Sequence, residues 1–201
     1  MKKIVVIILI MSGSLLMAQS DTAKYWKIEN KASLNLTQSY FSNWSAGGEN
    51  TLAGTGKYTS NILFTKEKHQ WSNWLNLALG YSYIGNHKPM KTDDKLELIS
   101  SYGYKIHKKL YATILVTFRS QIAKGYNYKK DSTVFISKFM APGTIDIGPG
   151  IEWEPNDFFS INFSPLTAKW IIVNDQRLAD AGSFGLDPAV VHSSGVIIEH
   201  A

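Results

Sequence analysis

Three charges far apart in the chain, Glu97, Arg119 and Asp146, fall where strand pairing would bring them together. With His107-Lys108-Lys109 as a tight turn, Ile106 faces Leu110, and counting outward along both strands sets Glu97 opposite Arg119. Asp146 stands at a similar height on a later strand. Opposed unlike charges on neighbouring strands attract by a few tenths to about 1 kcal/mol, and shielding from bulk water would make either one costly alone. Such a cluster suits holding or selecting ions rather than making and breaking bonds.

Other residue types capable of chemistry lack the spacing for it. There is no G-x-S-x-G, and no His on a strand shares a side with a Ser and an acid. His69, His87, His107, His192 and His200 fall in turns, loops or the tail, without an H-x-x-x-H metal spacing. Asp175, Asp180 and Asp187 do not follow the EF-hand pattern and read as solvated loop acids. In Asn43-Trp44-Ser45-Ala46-Gly47-Gly48-Glu49-Asn50 the paired glycines read as supplying positive φ for an external turn, in preference to an anion-binding nest. We expect no catalytic residue, no metal and no cofactor.

The elements that must position the cluster are strands. In Trp71-Ser-Asn-Trp-Leu-Asn-Leu-Ala-Leu-Gly-Tyr-Ser-Tyr83, large apolar residues recur at every second place, with Ser72, Asn76, Ala78, Gly80 and Ser82 between. The same period runs through 31–41, 51–65, 95–106, 110–122, 143–154 and 158–166, giving seven strands. Short turns at 66–70, 107–109 and 155–157 alternate with long polar loops at 42–50, 85–94, 123–142 and 167–188. That rhythm predicts an all-β, antiparallel, up-and-down barrel of the outer-membrane type, with turns on the periplasmic side and loops outside.

Composition supports export. Lys2 and Lys3 precede an apolar run from Ile4 to Met11, then small residues to Ala18 and Ser20, so residues 1–20 read as a signal peptide and 21–201 as the barrel domain. Removing the two lysines leaves 19 of the 21 basic residues against 16 acidic ones, a net of +3 and no nucleic-acid charge pattern. There is no cysteine, which excludes both a lipoprotein anchor and a disulfide framework.

The polar face decides the solvent. A soluble surface is about a quarter to a third charged, whereas the first strand from Ser33 on and the third strand offer only Ser, Asn, Thr, Ala, Gly and Trp74 there. Leu75, Leu77, Leu79 and Tyr81 are therefore expected to face lipid, and a lysine at Leu77 to be worse tolerated than one at Ala78. Phe64, Trp71, Tyr104, Trp153 and Phe159 fall at one membrane level and Tyr40, Tyr81, Tyr83 and Phe118 at the other, where aromatic side chains settle between hydrocarbon and headgroups.

Thr37-Gln-Ser-Tyr-Phe-Ser-Asn-Trp-Ser-Ala-Gly-Gly-Glu-Asn-Thr-Leu-Ala-Gly54, the run from Trp71 and Ser164 to Pro188 resemble an uncharacterised family of Bacteroidota outer-membrane proteins known only as a domain of unknown function. The resemblance implies export and an outer-membrane β-barrel, with no known catalytic residue, ligand or cofactor. Family members continue with further strands where this chain has Ala189–Ala201, so a chain cut short is expected rather than an eighth strand in the tail. The expected partners are outer-membrane lipid and the outer-membrane assembly machinery. The expected role is a small-solute pore or a structural or binding barrel. The alternative is a soluble secreted or periplasmic β-barrel holding a small apolar ligand.

Overall fold

The computed structural model describes residues 25–42, 47–128, 131–156, 158–185 and 196–200; the expected signal peptide lies outside them. Alternating side chains satisfy a backbone that pleats, and five long strands follow in succession: β1 (Trp26–Ser39), β2 (Thr51–Lys66), β3 (His69–Ile84), β4 (Met90–His107) and β5 (Leu110–Ser120). Each pairs antiparallel with the next. A small hairpin, β6 (Gly125–Asn127) and β7 (Asp131–Ser137), leaves the sheet before β8 (Gly143–Asn156) returns beside β5. β9 (Phe159–Phe163), β10 (Ala168–Asn174), the short helix α1 (Gln176–Asp180) and β11 (Val196–His200) follow. The main sheet curls into a half-barrel.

Three expectations change. Residues 123–142 and 167–188 are not plain loops, since β6 and β7 lie within the first and β10 and α1 within the second. β9 and β10 both pair with β8, at its two ends, and act as one strand interrupted at residues 164–167. Gly148 permits the interruption: a Cβ there would lie 2.4 Å from Ser164 Oγ and 3.1 Å from the Leu166 carbonyl oxygen. The turn after β4 is two residues, Lys108-Lys109, with His107 facing Leu110 and the register shifting at Ile106; that irregularity restores the expected opposition of Glu97 and Arg119. Finally, Val196–His200 of the tail does pair, with β10, whereas β1 and β11 are not paired with each other among the described residues.

Burial is inverted relative to a water-soluble sheet. Ala78, Ser82, Glu97, Thr113 and Thr117, all on the polar face, are buried because the sheet curls around them. Leu34 and Leu36 on the apolar face are each 71% exposed, and Ile28, Tyr102, Ile114, Ile151, Trp153 and Phe163 are exposed on the same face. The polar face is therefore concave.

An apolar core forms instead among the loop-end segments. Ala141, Val173, Leu178 and Ala179 are buried together, with Phe135 and Ile171 packed against them. The Arg177 guanidinium lies 4.6 Å from the centre of the Phe135 ring, and the Asn174 N–H donates to the Met140 carbonyl at 2.7 Å. Asp175 is not a solvated loop acid: it caps α1 by accepting from the Leu178 N–H (3.1 Å) and pairs with Lys138 (2.9 Å). Asp180 accepts from Gln176, and Asp187 lies outside the described residues.

Burial pushes the Asp175 carboxyl upward, but Lys138, the Leu178 N–H and Arg177 together outweigh it and hold the group below its ordinary value. A depressed folded value stabilises above the unfolded one, about 3.9, and that contribution is lost as pH falls through the folded value. Asp175→Asn keeps a capping oxygen but removes the charge that Lys138 meets, and should cost up to about 1 kcal/mol at neutral pH. Urea unfolding of both proteins at neutral pH and again below about pH 3 should show the difference shrinking with acid; an undiminished gap would remove the carboxylate charge as its source.

Candidate functional site

β4 carries Asp93, Lys95 and Glu97 at alternate positions, so all three point to the concave face. Glu97 lies opposite Arg119 on β5, and Asp146 comes from β8 beyond it. Arg119 bridges the two carboxylates: its Nε donates to Glu97 Oε1 at 2.9 Å and its Nη1 to Asp146 Oδ2 at 2.8 Å. The other Glu97 oxygen, Oε2, takes the Lys95 ammonium at 2.7 Å. Lys57 on β2 reaches Asp93 at 3.4 Å, and Lys169 on β10 is the cross-strand neighbour of Asp146. The result is a ladder of alternating sign running across the sheet.

Small residues make room for it. Ala78 sits between Lys57 and Lys95 in register, and a Cβ at Gly80 would fall 2.6 Å from Thr55 Oγ1. Trp74 supports the ladder from one side, with the Lys95 ammonium 6.0 Å from its ring centre. Glu97 is 7% exposed, whereas the Arg119 side chain is half exposed toward the concave space. No buried side-chain nitrogen or oxygen among the described residues lacks a hydrogen bond. Sequence reasoning picked Glu97, Arg119 and Asp146 and missed Lys57, Asp93 and Lys95. The signal was the alternate spacing of Asp93, Lys95 and Glu97 itself.

Arg119→Gln leaves Asp146 without its guanidinium, and Glu97→Gln removes the charge that Arg119 and Lys95 share. Each should destabilise by about 1 kcal/mol, and the double variant should recover part of the loss, with a coupling of roughly 0.5 to 1 kcal/mol. Strict additivity in urea unfolding would mean that the contact contributes nothing.

On the opposite face, Leu75 and Leu77 are flanked in register by Ser60 and Leu98, and by Tyr58 and Leu96. Leu79 and Tyr81 share that face but lie beside Asp94 and Lys91. At the turn end, Phe64 stacks 4.8 Å from Trp26, Trp26 lies 6.3 Å from Trp71, Trp153 meets Phe159 at 6.4 Å, and Tyr104 meets His69 at 5.3 Å. Trp26 escaped the sequence reading because Asn30 and Ala32 interrupt the apolar row between Ile28 and Leu34, while Lys27, Glu29 and Lys31 lie on the other face. Tyr83 stands at the loop end, opposite Leu52.

Gly47 and Gly48 adopt the positive φ angles expected of a turn, and the Asn50 side chain accepts from the Phe41 N–H at 2.7 Å; residues 43–46 lie outside the described ones. Glu49, His87, Lys88 and Tyr128 line a cavity of about 460 Å³ at this end. His69 Nδ1 lies 2.6 Å from the Tyr102 hydroxyl, and no group of three or more His, Asp or Glu able to hold a metal occurs among the described residues.

A family model described as "Protein of unknown function (DUF3078)" matches residues 36–126, short of half the chain. The matched stretch takes in Lys57, Asp93, Lys95, Glu97 and Arg119, and stops before Asp146. No curated protein and no solved structure matches this chain. What the comparisons place on residues 36–126 is thus a domain whose function is unknown.

Proposed function

We propose that this chain is exported and built into the outer membrane as a β-barrel protein, non-enzymatic, whose charged interior passes small polar solutes. The observation that carries this reading is the inverted burial: a curled sheet that covers Glu97, Thr113 and Thr117 while exposing Leu34, Leu36 and Ile114. Exposed apolar surface on that scale marks contact with another apolar medium. Strands of 14 to 18 residues in β1 to β4 exceed the roughly 9 to 11 needed to cross hydrocarbon when tilted. A soluble barrel holding an apolar ligand requires the opposite arrangement, with Leu77 and its neighbours inside. The partners of this reading are outer-membrane lipid and the assembly machinery that inserts such strands.

Fractionation tests location and planar bilayers test conduction. The chain should sediment with outer membranes, resist salt extraction, dissolve in detergent, and run faster on a gel when unheated. Reconstituted protein should give stepwise currents. Recovery from the soluble fraction would overturn the membrane assignment; membrane location without current would remove the conduit and leave a structural or binding barrel.

A further inference from the structure

The turn end of the half-barrel holds a cavity of about 830 Å³. Lys27, Lys105, Lys108 and Lys109 line it, with Glu154 as the single carboxylate among the described lining residues. Lys27 is already paired with Glu29 at 2.8 Å, and Glu154 accepts from Gln70 at 3.3 Å. The other three lysines have no carboxylate within ion-pair distance among the described residues. Lys105 lies 5.6 Å from the Tyr111 ring centre, and Lys109 donates to the Pro155 carbonyl at 2.6 Å. The end of β4 and the turn after it thus bring three lysines to the wall of one concavity, unlike the loop-end ladder, where cations and carboxylates alternate.

We propose that this cavity is a binding site for an anionic phosphate group, whether a free phosphate or a phosphodiester. Three ammonium groups on flexible stems adapt to an anion with several oxygens, and each contact is charge-assisted. The volume lies within the roughly 300 to 1,000 Å³ of small-molecule sites. Tyr111 and Phe159 in the wall give an attached organic part somewhere to lie. The phosphate belongs either to a free solute or to a lipid headgroup, and the chemistry is the same for both. The site requires only the folded sheet, so it stands apart from where the protein resides and whether it conducts.

The test is calorimetric titration of the full chain, folded in zwitterionic detergent, with inorganic tripolyphosphate. A second arm measures partition to vesicles of phosphatidylglycerol against vesicles of phosphatidylcholine alone. Lys105→Ala with Lys108→Ala should weaken the responding arm about tenfold and flatten its salt dependence. Tripolyphosphate binding identifies a free phosphate; a response confined to phosphatidylglycerol identifies a headgroup. Lys66→Ala with Lys68→Ala is the control: these lysines share the turn end but lie over the Tyr25 and Tyr104 rings, outside the cavity. Circular dichroism reports folding in every variant. Silence in both arms by the folded protein, or equal loss in the control pair, overturns the proposal.

Discussion

Leu77→Lys should fail to assemble into membranes while Ala78→Glu assembles and folds. The two positions are adjacent on β3 and face opposite sides of the sheet. On a lipid-facing midplane a lysine costs roughly 2 to 4 kcal/mol, whereas an apolar-to-lysine change on a water-facing strand stays within about 0.5 kcal/mol. Leu77→Lys therefore also weighs the membrane reading against a soluble one. The register of the ladder adds that at 78 the sign of the introduced charge matters. Ala78 is buried between Lys57 and Lys95, so a third lysine would extend a row of like charges, whereas a glutamate meets an ammonium on each side. Glutamate and lysine bring similar bulk, so comparing them isolates charge. Ala78→Glu should be the more stable by about 1 kcal/mol in urea unfolding. Equal stabilities would mean that Lys57 and Lys95 do not reach this position.

Period-two alternation made β2 to β5 and β8 legible because one face of each meets a different environment from the other. The register of Glu97 and Arg119 was legible too, although by a count that passed through an irregularity: a three-residue turn predicts the same opposition as a two-residue turn with a register shift at Ile106. What alternation could not reveal is long-range closure. Ala168–Asn174 reads Ala-Lys-Trp-Ile-Ile-Val-Asn, nearly continuous in its apolar run, because Ile171 and Val173 turn inward to meet Leu178 and Phe135 while Trp170 and Ile172 face out. A stretch apolar on both sides has no period-two signature. The loop core escaped for a related reason, since Phe135, Ala141 and Leu178 come from three separate segments. The inward charges were partly visible: alternation assigned their face, but pairing across strands required register over the whole sheet.

Asp94→Ala should be the most damaging single change away from the apolar face's midplane, costing about 3 to 5 kcal/mol. Asp94 and Lys91 share the face that carries Leu77 and Leu79, an apolar surface where charge is costly, and they are nonetheless almost fully buried. The segment after β5 covers them. Lys91 Nζ bonds Asp94 Oδ2, the Gln121 side-chain oxygen (3.1 Å) and the Ala123 carbonyl (3.0 Å). Asp94 in turn accepts from the N–H groups of Ile122 (2.7 Å) and Ala123 (3.2 Å), while Ser137 of β7 donates to Gln121 at 2.6 Å. Removing the carboxylate leaves the Lys91 ammonium without its counter-charge and two backbone donors without their acceptor in a site shielded from water, and each loss argues for opening. The covering segment should then detach, so trypsin should cut after Lys124 faster in Asp94→Ala than in the parent. Lys91→Met with Asp94→Leu tests whether the charge or the anchoring matters. Taking both charges away removes the unpaired ion, so stability should return in part, yet Ile122 and Ala123 still lack an acceptor and the rapid cleavage should persist. Full recovery of both stability and protease resistance would show that the ion pair covers its own desolvation and does not hold the hairpin.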